Sequence, residues 1–314
     1  MENAVIKVVK PGLSTSIQDL GRVGYQQFGM VVAGAMDPFA LQIGNILVGN
    51  PREAAGIEVV IMGPKLKFLQ DTVIAICGAN LSPKLDGKAI SMWHSEIVEK
   101  GQELSFGKPI NGSYAYIAVG GGITTDKLMG SRSTYVKAKI GGLTGDYLAE
   151  GDRLPAGEPK FDKAGRSLLP HLIPNYTKSK RMRVILGPDQ HAFTKAGLHT
   201  FLSETYRITT KTDRMGTRLE GKAIEHVAEA DIISDAILPG TVQVPASGLP
   251  IILLADRQPT GGYTRIATVI SEDIPRIAQS FPGKEISFEA VSLTFAQKLY
   301  KRRERLLRML SKIG

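Results

Sequence analysis

The chain has 314 residues, 43% of them apolar and 22% charged, a balance that excludes a disordered polymer and supports two domains of ordinary size. A formal net charge of +9 raises the question of an anionic partner, and the single cysteine, Cys77, excludes an intrachain disulfide. No window approaches the roughly 18 apolar residues that a membrane span requires. The opening MENAVIKVVKPG carries an acid at position 2 and no long apolar run, so no signal peptide is expected and a cytoplasmic location is.

In chain order, short apolar or alternating runs at 6–9, 59–62, 73–77, 97–98, 104–106, 114–119, 184–186, 241–244, 251–254 and 286–288 are separated by Gly, Pro, Asp and Asn. Many short strands at close spacing predict barrels or sandwiches and not a βαβ sheet. Cys77 closes one apolar run and reads as a small buried hydrophobe. Two internal helices interrupt the strands. The first, over 38–48, places Phe39, Ile43 and Leu47 on one side with Asp37 as its cap; the second, over 271–281, opens on Ser-Glu-Asp.

A third helix closes the chain. Over 298–312, Lys298, Lys301, Arg302, Arg303, Arg305, Arg308 and Lys312 face only Glu304, so +6 of the net charge lies here. Phe295, Leu299, Leu306, Leu307 and Leu310 recur at helical spacing, predicting a helix that docks by its apolar side and solvates its basic one. The body of the chain has no RNA-binding aromatic strand motif, zinc spacing or helix-turn-helix pattern, so neither nucleic acid nor a membrane is expected as partner.

Three pairs of segments echo each other at an offset of about 175 to 180 residues, the mark of a duplicated unit. Gly34-Ala-Met36-Asp37 answers Asp213-Arg214-Met215-Gly216, the approach to Leu66-Lys-Phe68 answers that to Val242-Gln-Val244, and 73–79 answers 251–257. The expected division is a barrel over 1–175, a second barrel over 176–292 and a basic helix over 293–314, with the Pro-containing stretch 168–175 as linker. Pockets favour interfaces between domains, so a crevice between the copies is the expected place for a site.

The richest segment is 251–263. Five apolar residues, 251–255, predict a strand buried on both faces, and Asp256, Arg257, Gln258, Pro259, Thr260, Gly261, Gly262 and Tyr263 follow at its end. An acid, a base, an amide, a hydroxyl and a phenol on a backbone shaped by proline and glycine suit a small polar ligand. They suit equally a Pro-Gly turn in which Arg257 pairs with Asp256. Five scattered histidines give no metal spacing; His191, in a polar turn, is the one that stands out. The chain lacks a P-loop, a dinucleotide fingerprint and a nucleophile elbow.

The motifs carry a resemblance that runs nearly end to end. Gln18-Asp-Leu-Gly-Arg22, Gly34-Ala-Met-Asp37, Glu58, Gly63-Pro64, Ser133-Thr-Tyr135, Gly141-Gly142, Asp213-Arg-Met-Gly-Thr-Arg-Leu-Glu-Gly221 and Leu254-Ala-Asp-Arg-Gln-Pro-Thr-Gly-Gly-Tyr263 are similar to the biotin-dependent carboxyltransferase-like family, also called the allophanate hydrolase subunit 2 family. Its members include one chain of ATP-dependent 5-oxoprolinase and a region of urea carboxylase. The resemblance implies a mainly β fold of tandem cyclophilin-like β-barrels. Thr264, Lys137 and Asp146 depart from its pattern, standing where proline, arginine and arginine are usual.

The activity so implied is help in the ATP-dependent ring opening of 5-oxoproline. ATP with magnesium would be shared with a B-type partner chain (allophanate hydrolase subunit 1 family), and an A-type partner would complete the reaction to glutamate. The implied catalytic residues are Asp213, Arg214, Asp256 and Arg257, with Gln258, Thr260, Tyr263, Met36 and Asp37 binding substrate. No metal is expected to be held by this chain alone. Two alternatives share the resemblance. One is carboxyl transfer from a biotin carrier to a urea-like acceptor; the other is non-enzymatic antagonism of a sensor-kinase inhibitor through a complex with the B-type chain.

Overall fold

Apolar residues with a period of two become strands wherever a second layer covers one face, and continuous apolar runs become strands covered on both. The computed structural model describes residues 4–177 and 179–313. The chain divides into two units, the first comprising Met1–Arg22, Ala33–Pro174 and Arg305–Gly314, the second Val23–Val32 and Asn175–Glu304.

The first unit carries strands β1 (Ala4–Lys10), β2 (Thr15–Gln18), β3 (Gly56–Val60), β4 (Lys65–Phe68), β5 (Thr72–Asn80), β6 (Lys84–Leu85), β7 (Lys88–Ala89), β8 (Ser95–Val98), β9 (Glu103–Ser105), β10 (Asn111–Val119) and β11 (Arg153–Pro155), with helix α1 (Pro38–Leu47). They form a sheet ordered β11-β1-β4-β9-β6-β7 and another ordered β2-β3-β10-β5-β8. Ile6, Val8, Leu66, Phe68 and Leu104 of the one share a core with Ile17, Ile57, Ile74, Ile76 and Ile117 of the other.

Strands β5 and β10 are buried on both faces because α1 covers the outer one. Gly44 of α1 is the point of closest approach: a Cβ there would stand 3.1 Å from the Cβ of Ala118 and 3.7 Å from Cys77 Sγ. Cys77 is therefore the buried small hydrophobe expected of it. Asp37 caps α1 as predicted, its Oδ1 accepting from the Ala40 amide at 3.1 Å. The helix has no solvent stripe in its middle, since every residue from Ala40 to Leu47 is buried.

The second unit holds β12 (Arg181–Leu186), α2 (Lys195–Ser203), β13 (Tyr206–Thr212), β14 (Gly216–Glu220), β15 (Asp231–Ala236), β16 (Thr241–Gln243), β17 (Ile251–Leu253), β18 (Thr260–Tyr263), β19 (Arg265–Val269), α3 (Ile274–Ala278) and β20 (Glu285–Ala290). Seven strands close a barrel in the order β12-β19-β16-β17-β14-β13-β20. The closure is a parallel pairing of its first and last strands, with Arg181 opposite Ser287 and Val184 opposite Ala290. Strands β15 and β18 pair with each other in a separate ribbon. Helix α2 covers β20, with Phe201 stacked on Phe288 at 4.4 Å between ring centroids.

Four sequence expectations change. The run 59–62 stops at Val60, where Ile61 turns with φ 54°. The strand at 251 is covered on one face only, since Ile252 is buried while Ile251 and Leu253 are half-exposed. The echo of Gly34–Asp37 with Asp213–Gly216 joins unlike elements: the first leads into a helix, whereas the second is the turn of the β13–β14 hairpin. The helix expected over 271–281 is the short α3, and Asp273 at its N-cap makes no side-chain cap.

Asp273 is drawn instead to Arg183, whose Nε and Nη2 donate to it at 2.9 and 2.6 Å, and to Arg276, at 3.2 Å. The closing helix, α4 (Leu293–Ile313), is present. Leu307 and Ala296 are its buried apolar positions and Leu299, Leu306 and Leu310 are half-buried or more open, while Phe295, expected on the docking side, is 42% exposed. Among the described residues no helix is long and apolar enough to cross a membrane.

Burial alone would raise the Asp273 carboxyl, but the Arg183 hydrogen bonds outweigh it and hold the group below the ordinary aspartate range. A folded-state pKa below the unfolded one means that the stability is complete at neutral pH and drains away as pH falls below about 4. Asp273→Asn should cost about 3 kcal/mol at pH 7 in urea unfolding. The gap between variant and parent should shrink when the measurement is repeated under acid.

Candidate functional site

The loop after β17 is fastened to the β13–β14 turn twice over. Asp256 donates its amide to the Arg214 carbonyl at 2.8 Å. The Arg214 side chain answers with a two-pronged grip, Nε to Oδ2 at 2.9 Å and Nη2 to Oδ1 at 3.0 Å. Leu254 adds an amide bond to the Met215 carbonyl at 2.9 Å. Both ends of the ion pair are buried, which gives the fork geometry its full directional value. Asp213 performs a different task. Lying at the turn, its Oδ1 accepts from the amides of Met215 (2.7 Å) and Gly216 (3.2 Å), shaping the turn that presents Arg214.

Arg257 comes next in the chain and is left without a carboxylate, contrary to the reading in which it pairs with Asp256. It is 7% exposed. Nε donates to the Ile237 carbonyl and Nη1 to the Leu254 carbonyl, both at 3.3 Å, and among the described residues no acid pairs with it. Burial without a compensating anion pulls the guanidinium down to about 10, still charged at neutral pH. A buried cation held only by carbonyl dipoles keeps much of its charge uncompensated.

Gln258 and Thr260 follow, the first exposed and the second half-exposed or more, on the same loop. Gly261 is there for space: a Cβ would come 2.6 Å from Gln243 Nε2 and 3.1 Å from Ile237. Gln243 is buried and donates to the Tyr263 carbonyl at 3.3 Å, tying β18 to the barrel. Tyr263, three residues on from Thr260, is carried along extended strand by about 10 Å. It lines a groove over β13, β14 and β17 that Arg257 does not line. Arg257 and Gln258 thus lie in the loop and Thr260 opens β18, while Tyr263 at the other end of that strand lines the groove. Thr264 fills the place of the usual proline by donating its amide to the Ala230 carbonyl (3.0 Å) and its hydroxyl to the Val244 carbonyl (3.1 Å).

Met36 and Asp37 lie in the first unit, fully enclosed, with Glu58 and Tyr116. The Tyr116 hydroxyl donates to Glu58 Oε2 at 2.7 Å and accepts the Asp37 amide at 2.7 Å; the Met36 amide donates to the same Glu58 oxygen at 2.9 Å. Burial first, and then the neighbouring Glu58 and Asp37, push the Tyr116 phenol far up, so it remains a proton donor at neutral pH. The same sequence motifs supply a second knot, in which Asp19 accepts from the Ser131 and Ser133 hydroxyls at 2.6 Å and from the Arg132 amide. Sequence reasoning does not bring these partners together. The available signal is a carboxylate, Glu58, standing inside an otherwise apolar strand. His191 is exposed, and its neighbour Asp189 pairs with Arg265 at 2.7 Å.

A closed barrel bearing a pinned loop with an uncompensated cation meets its class in the comparisons: the chain belongs to the family described as carboxyltransferase domain, subdomain A and B, matched over residues 28–290. Among its relatives, the C subunit of 5-oxoprolinase from Escherichia coli is 36% identical, over 98% of each chain. The protein of that name from Haemophilus influenzae is 37% identical over 95% of each. The urea carboxylase of Kluyveromyces lactis matches the fold with a TM-score of 0.93 at 26% identity. That match covers 98% of this chain and 29% of the yeast protein.

The two buried arginines should respond oppositely to removal of their charge. Arg214→Met abandons Asp256 as a buried, unpaired carboxylate and should cost about 3 kcal/mol. Arg257→Met removes a desolvated cation and strands no acid, so stability should stay within about 1 kcal/mol of the parent. Urea unfolding of the two variants side by side makes the comparison, and an equal large loss in both would show that Arg257 is structural.

Proposed function

We propose that this chain is the C subunit of an ATP-dependent 5-oxoprolinase, acting with B-type and A-type partner chains. The observation that carries the reading is Arg257, a buried guanidinium without a carboxylate beside the accessible Gln258 and Thr260. The match to the two bacterial proteins over nearly the full length of both chains supports it.

A five-membered lactam is a weak electrophile. Transfer of a phosphoryl group from ATP to its amide oxygen releases ADP and opens the ring carbon to water; one water adds there and the C–N bond breaks to give an acyl phosphate and the free amine, and a second water cleaves the acyl phosphate to glutamate and phosphate. Negative charge grows on the amide oxygen and on the transferred group, and in this reading Arg257 stabilises it from a water-poor position. Gln258 and Thr260 offer the donor and acceptor that a lactam N–H and carbonyl require. Among the described residues no three His, Cys, Asp or Glu side chains are grouped as a metal site.

The fold match to urea carboxylase keeps a second reading in view, carboxyl transfer from a biotin carrier to a urea-like acceptor. Reconstitution separates the two. The chain mixed with its B-type and A-type partners should hydrolyse ATP in response to 5-oxoproline, and the chain alone should not. In the assembled enzyme, Arg257→Lys and Gln258→Ala should each slow turnover by about 100-fold while assembly persists. Full activity in both variants, or ATP hydrolysis indifferent to 5-oxoproline, would overturn the assignment.

A further inference from the structure

The groove that receives Tyr263 is a second place in the same unit where positive charge stands uncompensated. It has a volume of about 730 Å³ and runs over β13, β14 and β17, well within the range of small-ligand sites. Lys211 and Arg218 face it from neighbouring strands. Lys211 precedes Thr212 on β13, and Thr212 pairs with Thr217, the neighbour of Arg218 on β14. Among the described residues neither cation has an acidic partner or a side-chain hydrogen bond.

The floor is of another character. Pro250 and Ile251 are apolar, and Ile251 is open to the groove because β17 is covered on one face only. Tyr263 adds a phenol ring that is 42% exposed, from a strand held by Gln243. Glu220 also lines the groove and stands 3.9 Å from Arg207. Two unpaired cations lining one groove from adjacent strands, over an apolar floor with an aromatic flank, fit a small molecule bearing a phosphate on a flat, largely apolar body.

We propose that this groove is a phosphate-ligand site distinct from the Arg257 loop, with Lys211 and Arg218 holding the phosphate and Tyr263 packing on the body of the ligand. The site is argued from its own residues and stands whether or not the 5-oxoprolinase reading holds.

Isothermal titration of the full chain at low salt tests it, with tripolyphosphate, AMP and glutarate as probes. The two phosphate probes should bind, glutarate at least tenfold more weakly. The double variant Lys211→Gln/Arg218→Gln should weaken both phosphate probes at least tenfold, and Arg257→Gln should change them less than twofold. Tyr263→Ala should weaken AMP and spare tripolyphosphate. No heat from either phosphate probe at millimolar concentration overturns the proposal, as does binding that survives the double variant. Binding lost in Arg257→Gln but kept in the double variant would place the anion at the loop instead, sinking this proposal while strengthening the functional one.

Discussion

The second unit turns on how one carboxylate is used. Asp256 is the acid of its loop, and the β13–β14 turn claims it through Arg214 with two side-chain bonds and one from the backbone. That grip fixes the loop to the barrel. It also means that Arg257, one residue later, is folded into the protein with only carbonyl oxygens around its charge. Held apart, the two arginines differ in kind, Arg214 paired with a carboxylate and Arg257 bonded only to carbonyls. A chain selected for stability alone would place an apolar residue at 257.

The first unit handles buried charge by enclosure. Glu58 is met by a phenol and a main-chain amide, and Asp37 by the first turn of α1, so each carboxylate sits among donors. Asp19 gathers two serine hydroxyls and main-chain amides in the same manner. Such fully bonded networks favour one arrangement of the surrounding backbone over its competitors. Gly34 belongs to the same close packing: with φ +89° it lies so near the chain at Gly21 that a Cβ would be 2.9 Å from the backbone.

Much of this is legible in the sequence, and the misses have physical causes. Alternation and turn residues mark the strands because half-burial writes itself into every second position. The Asp37 cap is legible because capping is a matter of three residues. The partner of Asp273 is not, since Arg183 lies 90 residues away. Nor is the separate setting of Tyr263, which lines the groove over β13, β14 and β17 while Arg257, six residues earlier, does not. The five apolar residues at 251 suggest burial on both sides, but the strand ends at Leu253 and only Ile252 within it is buried.

The closure of the barrel has a bearing on how the chain is made. The strands that complete it, β12 and β20, lie roughly a hundred residues apart and pair in parallel, so the last hydrogen bonds of the ladder wait for the most distant partner. The threading extends that wait. Val23–Val32 belongs to the second unit and Arg305–Gly314 to the first. During synthesis, therefore, neither unit has all its own residues until nearly the whole of this sequence has left the ribosome. The nascent protein passes through a long interval with open sheet edges, and the exposed β-surface of that interval is what a chaperone would meet.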